Sequence, residues 1–225
     1  MKFNLSFSIK IMRLTIILAA LCVAGFAVPT VLGGQIYDQY GFSLNNLLAD
    51  PFVLITSIFL HGSLEHLLSN LLVLVFFGIA VEGELGWRKT STIFFTGAFA
   101  GDLLSLAAYA PDSIAVGASA GIFALIGVGM LVKPMDMEMY PLAMPIPLAA
   151  LGIGYALYNV FGFVTGIDPD VSYIAHFGGL FVGMLFGVRH KSTDAKGGLK
   201  RGWKLMLTMF LIMVVAPLVW ILATS

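Results

Sequence analysis

Long apolar runs, broken by short clusters of charge, glycine and proline, decide the solvent in which this chain folds. At 59% hydrophobic and 11% charged, its 225 residues have too little polar surface to enclose a water-soluble core. A run of about 20 apolar residues crosses the ~30 Å hydrocarbon layer of a bilayer as a helix, with its backbone groups bonded to one another. The runs define seven candidate spans at 12–32, 66–81, 90–109, 119–132, 146–164, 174–188 and 203–222. The expected class is an all-α polytopic membrane protein. Residues 1–190 would form a six-helix membrane domain, and 191–225 a basic cytoplasmic loop and a seventh helix.

Charge supports the span count. In a seven-span arrangement all 12 lysines and arginines fall on one side, which is the cytoplasmic one. The opposite loops hold Asp38, Asp50, Asp112, Asp168 and Asp170 with no basic residue. The N-terminus is therefore expected inside and the C-terminus outside. The basic start and Ala24-Gly25-Phe26-Ala27 also resemble a cleaved leader, but an uncleaved first helix is the favoured reading. The single cysteine, Cys22, excludes an internal disulfide and a cysteine-built metal site. His61 and His66 stand five apart around Glu65, a poor spacing for a shared metal, and no metal is expected. Segment 33–65 is long and half-apolar, and its 51–60 stretch suits the outer interface.

Depth brings the polar residues together. Counted from Lys133 and Arg189 at ~1.5 Å per residue, Ser119 and His176 lie about 21 and 20 Å above the inner boundary. Asn70, counted from Glu82, lies at about 18 Å. All three would share a layer about 10 Å below the outer surface. The runs at 66–81, 119–132 and 174–188 are short, and they carry these residues. Span four must begin near Ser119, with 110–118 descending to it as a loop. Irregular backbone at that depth needs cover from protein or water, which predicts a polar cavity open to the outside.

Ser119 lies in Gly117-Ala118-Ser119-Ala120-Gly121, where serine at a helix start reads either as an N-cap or as a nucleophile. The helix N-terminus would supply N–H groups to a developing oxyanion. The soluble G-x-S-x-G elbow needs a preceding strand, which this sequence lacks. His176, buried in an apolar run, is a candidate general base. Gly179, Gly183 and Gly187 share its helical face, as Phe123 and Gly127 share that of Ser119, so the two helices are expected to approach closely. His66 and Asn70, four apart, read either as oxyanion donors or as an interhelical hydrogen-bonding pair. His61 and Glu65 read as loop-ordering residues nearer the surface.

These residues resemble the rhomboid family of intramembrane serine proteases. The resemblance rests on His61-Gly-Ser-Leu-Glu-His66-Leu-Leu-Ser-Asn70, on Gly117-Ala118-Ser119 and on Ala175-His176-Phe177-Gly178-Gly179 with Gly183. It implies a rhomboid-like six-helix core plus one C-terminal transmembrane helix, with a Ser–His dyad and no cofactor. Ser119 would be the nucleophile, His176 the base, and His66, Asn70 and the Ser119 N–H the oxyanion hole. Gly117, Phe123, Gly179 and Gly183 would support them. Span five and the loop through Asp168 and Asp170 would form a lateral gate. Partners would be single-pass membrane-protein substrates and the lipid bilayer, not nucleic acid, and no oligomeric state is implied.

Three departures stand out: Ala120 follows the serine where the family often has glycine, Phe123 replaces a common tyrosine, and Trp87-Arg88 is cytoplasmic rather than in the first loop. The expected activity is peptide-bond hydrolysis in or near a transmembrane helix. The competing reading is a non-proteolytic chaperone or client-binding scaffold of the same fold. A transporter fits less well, because the polar residues occupy only the outer half.

Overall fold

A computed structural model describes residues 12–134 and 146–194, together with Lys204 and Thr208. The described residues form helices α1 (Arg13–Leu32), α2 (Gln35–Tyr40), α3 (Leu44–Ala49), α4 (Val53–Phe59), α5 (Leu64–Leu85), α6 (Trp87–Ser105), α7 (Ser119–Val132), α8 (Leu148–Thr165) and α9 (Tyr173–Asp194). No strand occurs among them beyond one isolated bridge, Phe42 to Ala115. The architecture is that of a polytopic helical membrane protein. By length and composition α1, α5 and α8 suffice to cross a membrane, and α7 is a shorter apolar helix.

The bundle is built around α7. Every residue from Ala120 to Leu131 is buried, as expected of a helix apolar on all sides. Its neighbours α6 and α9 press against it through glycine. A Cβ at Gly179 or Gly183 would strike the carbonyl oxygen of Ala120 or Ala124, and one at Gly97 would strike the Ala124 side chain. Gly101 and Gly178 close the α6–α9 contact in the same way, so the three helices interlock at backbone distance. The outward faces are apolar: Ile16, Leu68, Leu157 and Phe161 are all exposed, as lipid-facing residues are.

Helix α1 is fastened by a carboxylate. The side chain of Glu82, on α5, accepts from Leu14 N–H at 3.0 Å, Thr15 N–H at 2.9 Å and the Thr15 hydroxyl at 2.7 Å. An anion on the first turn of a helix satisfies donors that have no intrahelical partner and complements the helix dipole. Gly78 makes the approach possible, since a Cβ there would lie 2.8 Å from the Thr15 side chain. Only Gly86, at φ 77°, separates α5 from α6.

Two of the spans expected to be short are long helices. The 66–81 and 174–188 runs extend to the 22 residues of α5 and of α9. Polar ends explain the shortfall: Ser63, outside the apolar run, caps α5 by accepting from His66 N–H at 3.1 Å. The third span stops at Ser105, short of the expected 109. The seventh, 203–222, lies outside the described residues apart from Lys204 and Thr208.

The first loop folds into a small lobe of α2, α3 and α4 held by side-chain bonds to its own backbone. Asn46 Nδ2 donates to Asp38 O and Gly41 O at 2.8 and 2.9 Å, and the Thr56 hydroxyl to Tyr40 O at 2.8 Å. Phe42 and Ala115 exchange backbone bonds, tying the lobe to the segment that descends to α7. Replacing Glu82 with Ala should cost about 2 kcal/mol by stranding the α1 donors, and Glu82→Gln should cost less. Thermal unfolding in detergent micelles of the two variants beside the wild type measures the difference.

Candidate active site

The turn into α7 places the serine. Gly117, at φ 122°, holds a conformation that side-chain-bearing residues rarely adopt. A Cβ there would also fall 2.7 Å from His66 Nε2, so the histidine ring lies against bare backbone. The Gly117 N–H donates to Ser57 O at 2.9 Å, fixing the turn to α4. The N-cap position of α7 belongs to Ala118, with no side-chain cap, and Ser119 is the first helical residue. The N-cap reading of Ser119 therefore fails, and its hydroxyl is committed elsewhere.

It is committed to His176. Ser119 Oγ and His176 Nε2 lie 2.8 Å apart, joining the first turns of α7 and α9. Gly179 and Gly183 sit directly below the pair and set the interhelical distance. Phe123 stacks on the imidazole, with ring centroids 4.3 Å apart and planes 12° from parallel, while Tyr173 meets its edge at 6.3 Å. Phe123 thus holds the ring plane by contact alone.

On the facing helix α5, Asn70 is buried and donates through Nδ2 to His66 O at 2.8 Å, and its Oδ1 has no partner. The Asn70 amide has a second N–H, and the opening N–H groups of α7 have no intrahelical acceptor. Of the two α5 side chains, the His66 ring is the one that lies against the serine turn, at Gly117. Below that turn lies a cavity of about 20 Å³, lined by Ser119, Ser57, Asp102 and Ser172 among others. The Ser57 and Ser172 hydroxyls are buried without partners.

Sequence reasoning missed two residues here. Asn159 of α8 is 1% exposed and places Oδ1 2.7 Å from His176 Nδ1. Asp102 of α6 lines the serine cavity. Both are polar residues within apolar runs, the signal that singled out Asn70. Counted from Arg88 at ~1.5 Å per residue, Asp102 stands about 21 Å up, in the Ser119 layer.

An α-helical membrane bundle with a hydrogen-bonded serine and histidine defines a class: integral membrane proteins carrying a hydrolase-type pair. Residues 49–192 match the Rhomboid domain. RHOMBOID-like protein 7 of Arabidopsis thaliana is 31% identical over 137 residues, 60% of this chain and 41% of that protein. Rhomboid-related protein 2 of Mus musculus is 34% identical over 140 residues, 59% of this chain and 46% of that protein. Rhomboid-like protease 2 of Toxoplasma gondii is 26% identical over 193 residues, 84% of this chain and 66% of that protein. The chain belongs to the rhomboid family. It spans less than half the length of several of the curated relatives it matches.

His61, expected near the surface, is instead fully buried, while Glu65 is exposed. Its Nδ1 lies 3.1 Å from Phe59 O, its Nε2 is buried without a partner, and its ring meets that of His66 edge-on at 5.0 Å. Burial, with a smaller contribution from His66, lowers its pKa to about 4, against the backbone bond to Phe59. Unfolded, it titrates near 6.5. The folded state therefore binds fewer protons between these values, and stability present above pH 6.5 drains away as pH falls toward 4. Thermal melts from pH 7 to 4 should show a steeper loss for the wild type than for His61→Phe.

Proposed function

We propose that this protein is an intramembrane serine endopeptidase that cleaves single-pass membrane proteins in or near their transmembrane helices. The observation that carries the reading is the 2.8 Å contact between Ser119 Oγ and His176 Nε2. His176 takes the serine proton as Oγ attacks the scissile carbonyl, and the oxyanion develops toward the Ser119 N–H, His66 and Asn70. Collapse of the tetrahedral intermediate breaks the C–N bond, and His176 protonates the leaving amine. Water, activated by the same histidine, then releases the acyl group. No cofactor enters this chemistry. The relative named as a protease in Toxoplasma gondii supports the assignment.

The basic residues orient the protein with its N-terminus in the cytoplasm and the catalytic opening on the far side. Residues 1–190 constitute the catalytic domain, and 191–225 supply the basic loop and a further span. Helix α8 and the loop bearing Asp168 and Asp170 form the side through which a substrate helix enters. A helical peptide hides its carbonyls in its own hydrogen bonds, so substrates unwind locally before attack.

The cavity beside Ser119 supports a substrate preference. In the acyl-enzyme the residue bonded to Ser119 has its side chain one carbon from the ester, so it occupies space adjoining the serine. That space is small and ringed by Asp102, Ser57 and Ser172, which suits a short side chain bearing a hydrogen-bond donor. With matched peptides, serine at that position should be cleaved about tenfold faster than alanine, and Asp102→Ala should erase the difference. A uniform fall for both substrates would contradict the assignment.

A fluorophosphonate serine-reactive probe tests the chemistry itself. The detergent-solubilised wild type should be labelled, and Ser119→Ala and His176→Ala should not be, while all three keep the same melting behaviour. A folded, unreactive wild type that cleaves no membrane substrate would favour the scaffold reading.

A further inference from the structure

We infer that Asn159 is a positioning residue that completes a Ser–His–Asn relay, drawing α8 into the catalytic apparatus. The inference rests on the reading of His176 as the base, and it follows from the hydrogen bonds in sequence. Asn159 Nδ2 lies 3.2 Å from the backbone carbonyl of Tyr173. A carbonyl only accepts, so the amide must present its nitrogen there, and this removes the ambiguity of amide orientation. The other end of the amide, Oδ1, then faces His176 Nδ1 at 2.7 Å. Oδ1 only accepts, so Nδ1 carries the proton. With Nδ1 protonated in the neutral ring, Nε2 presents its lone pair to the Ser119 hydroxyl at 2.8 Å. One backbone carbonyl thereby dictates the tautomer that a general base requires.

The same contacts fix the ring in space. Phe123 holds the imidazole plane by stacking, which leaves rotation within that plane to be restrained by partners at the ring edge. The Asn159 bond opposes it. Asn159 is itself buried at 1% exposure and has both ends of its amide satisfied. As Nε2 accepts the serine proton, the Nδ1–H bond to Oδ1 becomes charge-assisted and strengthens. A neutral amide gives this support without placing a second charge in the membrane layer. The dyad pattern places no third residue at this position, and here a span-five asparagine fills it.

Three variants separate positioning from packing. Asn159→Leu keeps the volume and removes the acceptor. It should cut the fluorophosphonate labelling rate and kcat by ~30-fold or more, with KM within about twofold of the wild type. Asn159→Asp restores the acceptor for Nδ1 but sets its other carboxylate oxygen against the Tyr173 carbonyl, so it should recover part of the rate. Its carboxylate favours the imidazolium, so the acidic limb of its kcat/KM profile should move to higher pH. Asn159→Ala should match Leu in rate.

Nitrogen-15 spectra of histidine-labelled protein, with His176→Ala to assign the signal, read the tautomer without needing activity. The wild type should show a protonated Nδ1 and Asn159→Leu a mixture. A folded Leu variant that labels at the wild-type rate, or a wild-type His176 protonated at Nε2, overturns the proposal. An unreactive wild type whose spectrum shows protonated Nδ1 would count against the protease reading while leaving the Asn159–His176 bond in place.

Discussion

The close approach of α7 to α9 sets the separation of Ser119 and His176, and glycine sets the approach. Where Gly179 and Gly183 lie against the Ala120 and Ala124 carbonyls, any side chain would push the helices apart by the width of a methyl group. That displacement exceeds what a 2.8 Å hydrogen bond tolerates. Bilayer physics explains why the work falls to glycine. Lipid tails are as apolar as leucine, so helices gain little by hiding apolar surface and associate through tight packing instead. The burial of α7 on every side, the backbone-to-backbone contacts with α6 and the stacked Phe123 all follow from that central seam.

Much of this was legible in the sequence. The apolar runs locate the six long helices among the described residues, because a bilayer imposes a length on each. Ser119, His176 and Asn70 declare themselves because a polar residue at that depth needs a reason to be there. The glycine spacing on α9 announces the seam. Helix ends were less legible: α5 and α9 extend past their apolar runs through polar residues, and at α5 the local Ser63 cap was not read as the helix start. His61 misled for another reason. Its burial comes from the folded lobe and the His66 ring, contacts that no local pattern encodes.

Asn159 and Asp102 show a different limit. Each is as conspicuous in its span as Asn70 is, yet neither belongs to a motif, and its meaning depends on which helix faces it. The asparagine becomes interpretable once Tyr173 O and His176 Nδ1 are seen on either side of its amide. Asp102 becomes interpretable once α6 is seen to border the serine cavity. Depth alone would have grouped both with Ser119 and His176, since rise per residue is a property of any helix.

The seam between α7 and α9 also constrains how anything reaches the serine. Carbonyl oxygens seated against bare glycines leave no room for a side chain, and those two helices pack with α6 as one block. The lobe of α2 to α4 and helix α8 lie outside that block. Because α8 carries Asn159, any outward shift of that helix would part Asn159 Oδ1 from His176 Nδ1 and release the imidazole from its orienting bond. The orientation of the imidazole would thus report where α8 stands.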